Sequence, residues 1–154
     1  EYLEGIKPDQ ELLSSPQWHA TLLKTIHSLR EIYIDLPPYP YRQQLDNYWQ
    51  QLLSGGHIKL EEQYRNAVSA LELLEKSGAP RSLVHHDLSA ENLLLADDRL
   101  MLLDWEYAGK GYTIMDDVAL LRLKLNLSSN HTPVQWAAAQ NIADFLDNAW
   151  YLLR

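Results

Sequence analysis

The chain has 154 residues and no cysteine, which excludes a disulfide framework and thiol chemistry. Apolar side chains make up 46% of it, enough to fold around one sizeable core, and a formal net charge of −8 argues against nonspecific nucleic-acid binding. No stretch approaches the ~20 apolar residues of a membrane span, and the N-terminus lacks the basic region and apolar core of a secretion signal. We therefore expect a globular, cytoplasmic protein with neither a membrane nor a nucleic acid as its partner.

Helices dominate the first half of the chain. Apolar side chains recur at helical spacing from about residue 16, where Ser14 or Ser15 is a plausible N-cap and Pro16 suits the first turn. Three prolines at 37, 38 and 40 exclude regular structure from a connector over residues 35–40. Helices are predicted over residues 16–30, 41–53 and 60–76.

The second half combines strands with two further helices. The pattern predicts a short strand before residue 85, a loop, and a β-hairpin whose polar turn spans residues 96–99. Gly109 and Gly111 indicate another loop. A buried helix over 114–127 and a last helix, opened by Thr132-Pro133 and reaching the C-terminus, complete an α+β, mostly helical fold.

Three polar side chains near the hairpin have the spacing of a phosphoryl-transfer site. Residues 85–92 read His-His-Asp-Leu-Ser-Ala-Glu-Asn, and Asp104 follows twelve residues after Asn92. A carboxylate at Asp87 can orient and deprotonate an attacking hydroxyl, and the oxygens of Asn92 and Asp104 suit Mg²⁺. The alternative is a charged turn between core strands, which requires three residues to match in type and spacing by chance.

These segments resemble the aminoglycoside phosphotransferase and choline kinase superfamily of small-molecule kinases. The resemblance rests on His85-His86-Asp87-Leu88 with Asn92, on Leu103-Asp104-Trp105-Glu106-Tyr107, and on Asp117-Val118-Ala119. The run Asp-Trp-Glu-Tyr-Ala-Gly is most similar to the choline, ethanolamine and thiamine kinase branch. The resemblance therefore implies a protein-kinase-like C-terminal lobe, mostly helical, in which the small hairpin carries the catalytic loop.

The resemblance also implies roles for the residues around the loop. Asp87 would be the catalytic base, with ATP and Mg²⁺ as cofactors, and Asn92 and Asp104 would hold the metal and thereby the nucleotide. His85 would brace the loop by packing and hydrogen bonding. Asp117 would accept backbone N–H groups of the catalytic loop, or would instead be a helix N-cap.

Two further pairs of residues are implied as ligand contacts. The opening Glu1-Tyr2-Leu3-Glu4-Gly5 looks like the hinge between two kinase lobes, so the backbone of Tyr2 and Leu3 would meet the adenine. Glu106 and Tyr107 would face the acceptor. Aromatic side chains that would line an acceptor pocket, or pack in the core instead, are Trp49, Trp105, Tyr107, Trp136 and Trp150.

The domain assignment follows from a missing motif. The sequence contains no G-x-G-x-x-G loop, no Walker A motif and no strand lysine before the catalytic loop. In the resembled family these belong to an N-terminal lobe, so we expect residues 1–5 to be a hinge remnant and residues 6–154 a C-terminal lobe. That missing lobe would be the partner, and the isolated chain would transfer phosphate poorly.

The acceptor is expected to be a small-molecule alcohol. Between His85 and Asp117 there are eight acids and two bases, Arg99 and Lys110, which favours a cationic acceptor such as choline, ethanolamine or thiamine. Alternatives are an aminoglycoside-type phosphotransferase and a noncatalytic binding module that keeps the kinase fold. A Mg²⁺-dependent phosphohydrolase would need a phosphate-cradling loop or more metal ligands, and neither occurs in the sequence.

Overall fold

The computed structural model describes residues 5–96, 99–125 and 130–154, and the fold there is α+β and mostly helical, as predicted. It divides into two compact units, one of residues 1–38 with 81–129 and the other of residues 39–80 with 130–154, named here the first and second units. None of the helices in the described ranges is long and apolar enough to cross a membrane. In chain order the helices and strands are α1 (Gln10–Ser14), α2 (Pro16–Glu31), α3 (Tyr41–Ser54), α4 (Glu61–Lys76), β1 (Arg81–Val84), β2 (Leu93–Ala96), β3 (Arg99–Leu102), β4 (Gly109–Tyr112), α5 (Thr113–Arg122) and α6 (Pro133–Leu153).

The core of the first unit joins helix α2 to the loop between β1 and β2. Leu22 and Ile26 lie one helical turn apart on α2 and are fully buried. They cluster with Leu88 of the loop and Leu93 at the start of β2. Burial of Leu88 and Leu93 therefore anchors this loop to the core of the first unit. The other buried members of this cluster are Leu13, Leu120 and Leu125.

The predicted hairpin is present as β2 and β3. They pair antiparallel from Leu93 opposite Leu102 to Ala96 opposite Arg99. On the other side of β2, Ile6 forms two backbone hydrogen bonds with Leu95, of 2.8 and 2.9 Å. The segment that precedes α1 is thereby fastened to the hairpin.

The loop predicted at Gly109 and Gly111 is instead strand β4, so that prediction was wrong. β4 pairs antiparallel with β1, Val84 opposite Gly109 and Arg81 opposite Tyr112. Glycine disfavours strands because it has no side chain to pack, but both glycines here are buried. Pairing with a strand distant in sequence outweighs the local preference.

The second unit consists of α3, α4 and α6. Trp49 of α3 is buried and stacks on Tyr64 of α4, with ring centroids 5.1 Å apart, so it packs in the core rather than lining a pocket. At the start of α6, Thr132 and Gln135 form a reciprocal capping box, as suits a Thr-Pro opening. These three helices confirm the predicted ones with shifts of one or two residues at their ends.

Helix boundaries in the first unit differ from the prediction in two places. The short helix α1 was not predicted, and its N-cap Asp9 accepts a hydrogen bond from the amide of Leu12 at 2.8 Å. Helix α5 begins one residue earlier than predicted and ends at Arg122, because Lys124 has a positive φ of 59° that terminates the helical backbone. The last two residues of the prediction, 126 and 127, lie outside the described residues.

Candidate active site

Asn92 and Asp87 are joined directly in the loop between β1 and β2, named here the catalytic loop. The Nδ2 group of Asn92 donates to the carboxylate Oδ2 of Asp87 at 2.7 Å and to its backbone oxygen at 2.9 Å. The single turn of 3₁₀ helix over Ala90–Asn92 brings the amide back toward Asp87. One oxygen of the Asp87 carboxylate is therefore fixed in orientation, and the Oδ1 atom of Asn92 is the oxygen of that side chain suited to a cation.

Asp104 follows strand β3 and is tied to the same loop through its neighbour Leu103. The Leu103 amide donates to the Asn92 carbonyl at 2.8 Å, and the Leu103 carbonyl accepts from Nε2 of His85 at 2.9 Å. Asp104 itself is exposed and has a φ of 60°, the left-handed region that non-glycine residues rarely adopt. A strained backbone of this kind persists where the surroundings enforce it, as they do at functional sites.

His85 is fully buried at the centre of this network. Its Nδ1 accepts from the amide of Asp87 at 3.3 Å, so the Nε2–H tautomer accounts for both of its ring contacts. Burial lowers the pKa of His85, which favours the neutral imidazole these bonds require. The ring of Trp105 covers it at 4.7 Å. These contacts support the bracing role expected of His85, which stays a prediction.

The carboxylate that holds the backbone of the catalytic loop is Asp116. The amides of His85 and His86 donate to its Oδ2 and Oδ1, each at 3.0 Å. Asp116 is buried, and that burial raises its pKa to about 6, although the two amides and Arg30 oppose the shift.

Asp117, the residue expected to accept backbone amides of the catalytic loop, lies directly after Asp116. The amides of His85 and His86 bond to Asp116, and the N-cap of α5 is Tyr112, so Asp117 is not the N-cap, whereas structural support of the loop by Asp117 stays a prediction. Asp117 instead accepts from Nη2 of Arg30 at 2.6 Å. Adjacent helical residues point about 100° apart, so the start of α5 decides which of the two carboxylates faces the loop.

His86 also has a left-handed backbone, with a φ of 66°. Its imidazole lies against the backbone of Tyr107 and Val84, and burial lowers its pKa to about 4. His86 thus connects the catalytic loop to the turn that follows Asp104. No sequence pattern identified this conformation.

The remaining predicted site residues lie on that turn or outside the described residues. The Ala108 amide donates to the Trp105 carbonyl at 3.0 Å, closing a turn that presents Glu106 to solvent and leaves Tyr107 half-buried. Glu106 and Tyr107 therefore lie on the turn that directly follows Asp104, next to the hydrogen bonds that hold the catalytic loop. Tyr2 and Leu3, expected to meet adenine, are outside the described residues.

The oxygen donors at this site fit Mg²⁺ in chemical type. Asp104 offers a carboxylate and Asn92 an amide oxygen, and Mg²⁺ takes one or two such protein ligands together with water and phosphate oxygens. Within residues 5–96, 99–125 and 130–154 no group of three or more histidine or acidic side chains is arranged to hold a metal ion. The predicted ligands, Asn92 and Asp104, include only one acidic side chain and therefore form a smaller set than such a group.

A loop anchored by a buried histidine, beside a hairpin followed by an Asp with a left-handed backbone, is the arrangement expected of a phosphotransferase site. The sequence profile described as the phosphotransferase enzyme family matches residues 1–152. The chain belongs to this family.

Named relatives are similar over short segments. Over 54 residues the chain is 43% identical to thiamine kinase of Salmonella paratyphi B, which covers 32% of this chain and 18% of that protein. Over 37 residues it is 46% identical to protein LicA of Haemophilus influenzae, which covers 24% of this chain and 14% of that protein.

Solved structures share the fold over nearly the whole chain. Choline kinase LicA from Streptococcus pneumoniae superimposes with a TM-score of 0.76 at 18% identity, over 99% of this chain and 60% of that one. A structure of LicA in complex with AMP gives the same TM-score of 0.76 at 17% identity, over 99% of this chain and 59% of that one. The chain thus spans about three fifths of the length of these kinases.

Proposed function

We propose that this chain forms the catalytic part of a kinase that transfers a phosphoryl group from ATP to the hydroxyl of a small cationic molecule of the choline, ethanolamine or thiamine type. The observation that carries the proposal is the direct bond from the Asn92 amide to the Asp87 carboxylate, at 2.7 Å. In phosphoryl transfer the protein contributes mainly positioning and electrostatics, and this pair positions a base beside a metal ligand.

Asp87 is assigned the role of the base that takes the proton from the acceptor's hydroxyl. Asn92 holds one carboxylate oxygen, and the proposal gives the other to the attacking hydroxyl. The amide of Asp87 is held by His85, so both the backbone and the side chain of the base are fixed before the substrate binds. An oriented carboxylate of this kind typically contributes about 10²–10⁴-fold to the rate.

Asn92 and Asp104 are assigned to Mg²⁺, and the backbone of Tyr2 and Leu3 to the adenine of ATP. When bound, Mg²⁺ would neutralise the charge on the phosphate oxygens. The exposed carboxylate of Asp104 is directed by its left-handed backbone, and the Asn92 amide by Asp87. The AMP complex of LicA supports nucleotide binding by this fold.

A cationic acceptor is supported by the excess of acids around the loop and by the names of the relatives. Glu106 is exposed on the turn after Asp104, where its charge would attract an ammonium or thiazolium group, and Tyr107 beside it would offer a ring face. The thiamine kinase and the choline kinase LicA support these acceptor classes. The noncatalytic alternative is disfavoured because Asp87, Asn92 and Asp104 are all present.

The domain assignment is part of the same proposal. Residues 6–154 are assigned to a C-terminal kinase lobe and residues 1–5 to the hinge, with a nucleotide-clamping lobe as the partner. A coverage of about three fifths of LicA supports this assignment. The 154-residue chain alone should then bind Mg²⁺-ATP weakly, and robust phosphorylation of choline or thiamine by it would contradict the assignment.

The test is a coupled ADP-release assay on the full-length protein that contains these residues. Choline, ethanolamine, thiamine and an aminoglycoside are each supplied with Mg²⁺-ATP, and the phosphorylated product is identified by mass spectrometry. The proposal expects turnover with one of the first three. Turnover confined to the aminoglycoside would replace the acceptor class, and no turnover with any acceptor, despite Mg²⁺-ATP binding, would favour the noncatalytic alternative.

A further inference from the structure

Arg30 fastens the last turn of α2 to the first turns of α5. Its Nη2 group donates to the carboxylate of Asp117 at 2.6 Å and to the backbone oxygen of Thr113 at 3.1 Å. The arginine side chain is 20% exposed and that of Asp117 only 6%, so the pair is largely shielded from water. Shielded and geometrically constrained pairs contribute more than exposed ones.

The residue beside this ion pair holds the catalytic loop. Asp116 accepts the amides of His85 and His86, and Asp87 follows directly in the chain. Two adjacent buried carboxylates repel each other, and the charge of Arg30 offsets that repulsion. Arg30 is therefore connected to Asp87 through Asp116 and the loop backbone.

We propose that Arg30 is a positioning residue: it supplies the positive charge that allows Asp116 to hold both loop amides and thereby fixes the backbone of Asp87. The effect on catalysis rests on the proposed function, whereas the effect on the loop amides does not. Arg30 has no assigned role in the sequence pattern of the catalytic loop, which lies more than fifty residues further along the chain.

Only an ionised carboxylate accepts at both oxygens without hindrance, since protonation turns one oxygen into a donor. The charged groups that face Asp116 are Arg30 from α2 and Asp117 from α5. The catalytic loop adds the imidazoles of His85 and His86, whose lowered pKa values keep them neutral near pH 7. The cationic side chains on the neighbouring strands are Arg81 of β1 and Lys110 of β4, and both are exposed. Loss of Arg30 should therefore let Asp116 take up a proton at higher pH.

The first test measures exchange of the His85 and His86 amide hydrogens by NMR in the full-length protein. Arg30→Met should reduce protection of both amides by about tenfold at neutral pH, with a larger loss at lower pH. Arg30→Gln, which keeps a polar side chain but not the charge, should do the same, and Arg30→Lys should retain most of the protection. Arg65→Met is the matched control, because Arg65 forms an exposed ion pair with Glu61.

Unchanged protection in both neutral variants would overturn the proposal, as would an equal loss in Arg65→Met. Arg30→Gln and Arg30→Lys keep the measurement decisive if Arg30→Met does not fold. Because no enzymatic turnover is needed, this result stands even if the proposed function fails.

The second test is the pH profile of kcat. Arg30→Gln should move the acidic limb to higher pH, Arg30→Lys should restore it, and addition of Asp116→Asn to Arg30→Gln should abolish the shift. A uniform loss of kcat at every pH would indicate a merely structural role and would contradict the proposal. If the wild-type protein is inactive but its amide protection responds as expected, the result contradicts the kinase assignment and leaves the positioning role of Arg30 intact.

Discussion

Asp87 and Asp104 are both carboxylates, but their surroundings give them different tasks. Asp87 is held by Asn92 and His85, whereas Asp104 is exposed and shaped by its own backbone. Asp87→Asn should lower kcat by about 10²–10⁴-fold and leave Mg²⁺-ATP binding near normal. Asp104→Asn, which tolerates the left-handed backbone, should abolish the rise in melting temperature produced by Mg²⁺-ATP. Assays of turnover and thermal shift separate the two.

Asp35→Asn is the matched control for these variants, since Asp35 is an exposed carboxylate of the connector after α2. It should change neither measurement. Near-full turnover by Asp87→Asn would show that the base is another group.

The spacing from His85 to Asn92 made the candidate site predictable, because those residues lie on one short loop whose geometry is local. The choice between Asp116 and Asp117 was not predictable in this way. It depends on where α5 begins, and a shift of one residue turns the other carboxylate toward the loop. The contacts of Arg30 were not predictable for a related reason, since its partners are more than eighty residues away in the sequence.

At the scale of elements, the hairpin depends on a third segment that pairs with β2. A Cβ atom at Gly5 would lie 2.6 Å from Cγ of Leu94 and 2.8 Å from the backbone oxygen of Leu95. Gly5→Ala should therefore push this segment off β2 and lower the free energy of unfolding by about 1–3 kcal/mol. Urea unfolding measures the change, and exchange of the Ile6 and Leu95 amides locates it.

Ile6→Thr is the control for Gly5→Ala, because the Ile6 side chain is 70% exposed and the variant keeps a branched Cβ. Its stability should change little. Wild-type stability in Gly5→Ala, with Ile6 still protected, would show that the close approach is not required.

Helices α2, α3, α4 and α6 were predictable because each has an apolar face and a recognisable start or end. Strand β4 was not, since its two glycines indicate a turn and only its partner β1 makes it a strand. Helix α1 was not predictable either, because it is five residues long and too short to show a periodic pattern. Elements with their own periodicity were therefore found, and those that depend on distant pairing were missed.

At the scale of the whole molecule, two buried groups give the free energy of unfolding opposite dependences on pH. Asp116 has a pKa raised from 3.8 to about 6, so the folded state binds its proton more tightly and stability falls as pH rises between these values. His86 has a pKa lowered from 6.5 to about 4, so the unfolded state binds its proton more tightly and stability rises over nearly the same range. At about 1.4 kcal/mol per pH unit, each contribution is roughly 3 kcal/mol.

Because the two contributions oppose each other, removal of either group should reveal the pH dependence of stability that the other group contributes. Asp116→Asn should make stability rise more steeply with pH between about 4 and 6 than in the wild type, whereas His86→Asn, which keeps the left-handed backbone, should make it fall. Urea unfolding at several pH values across this range gives the slopes, and the slope rather than the absolute stability is diagnostic, since both variants also lose contacts. Identical slopes in all three proteins would mean that neither Asp116 nor His86 titrates abnormally in the folded protein, and would contradict both assignments.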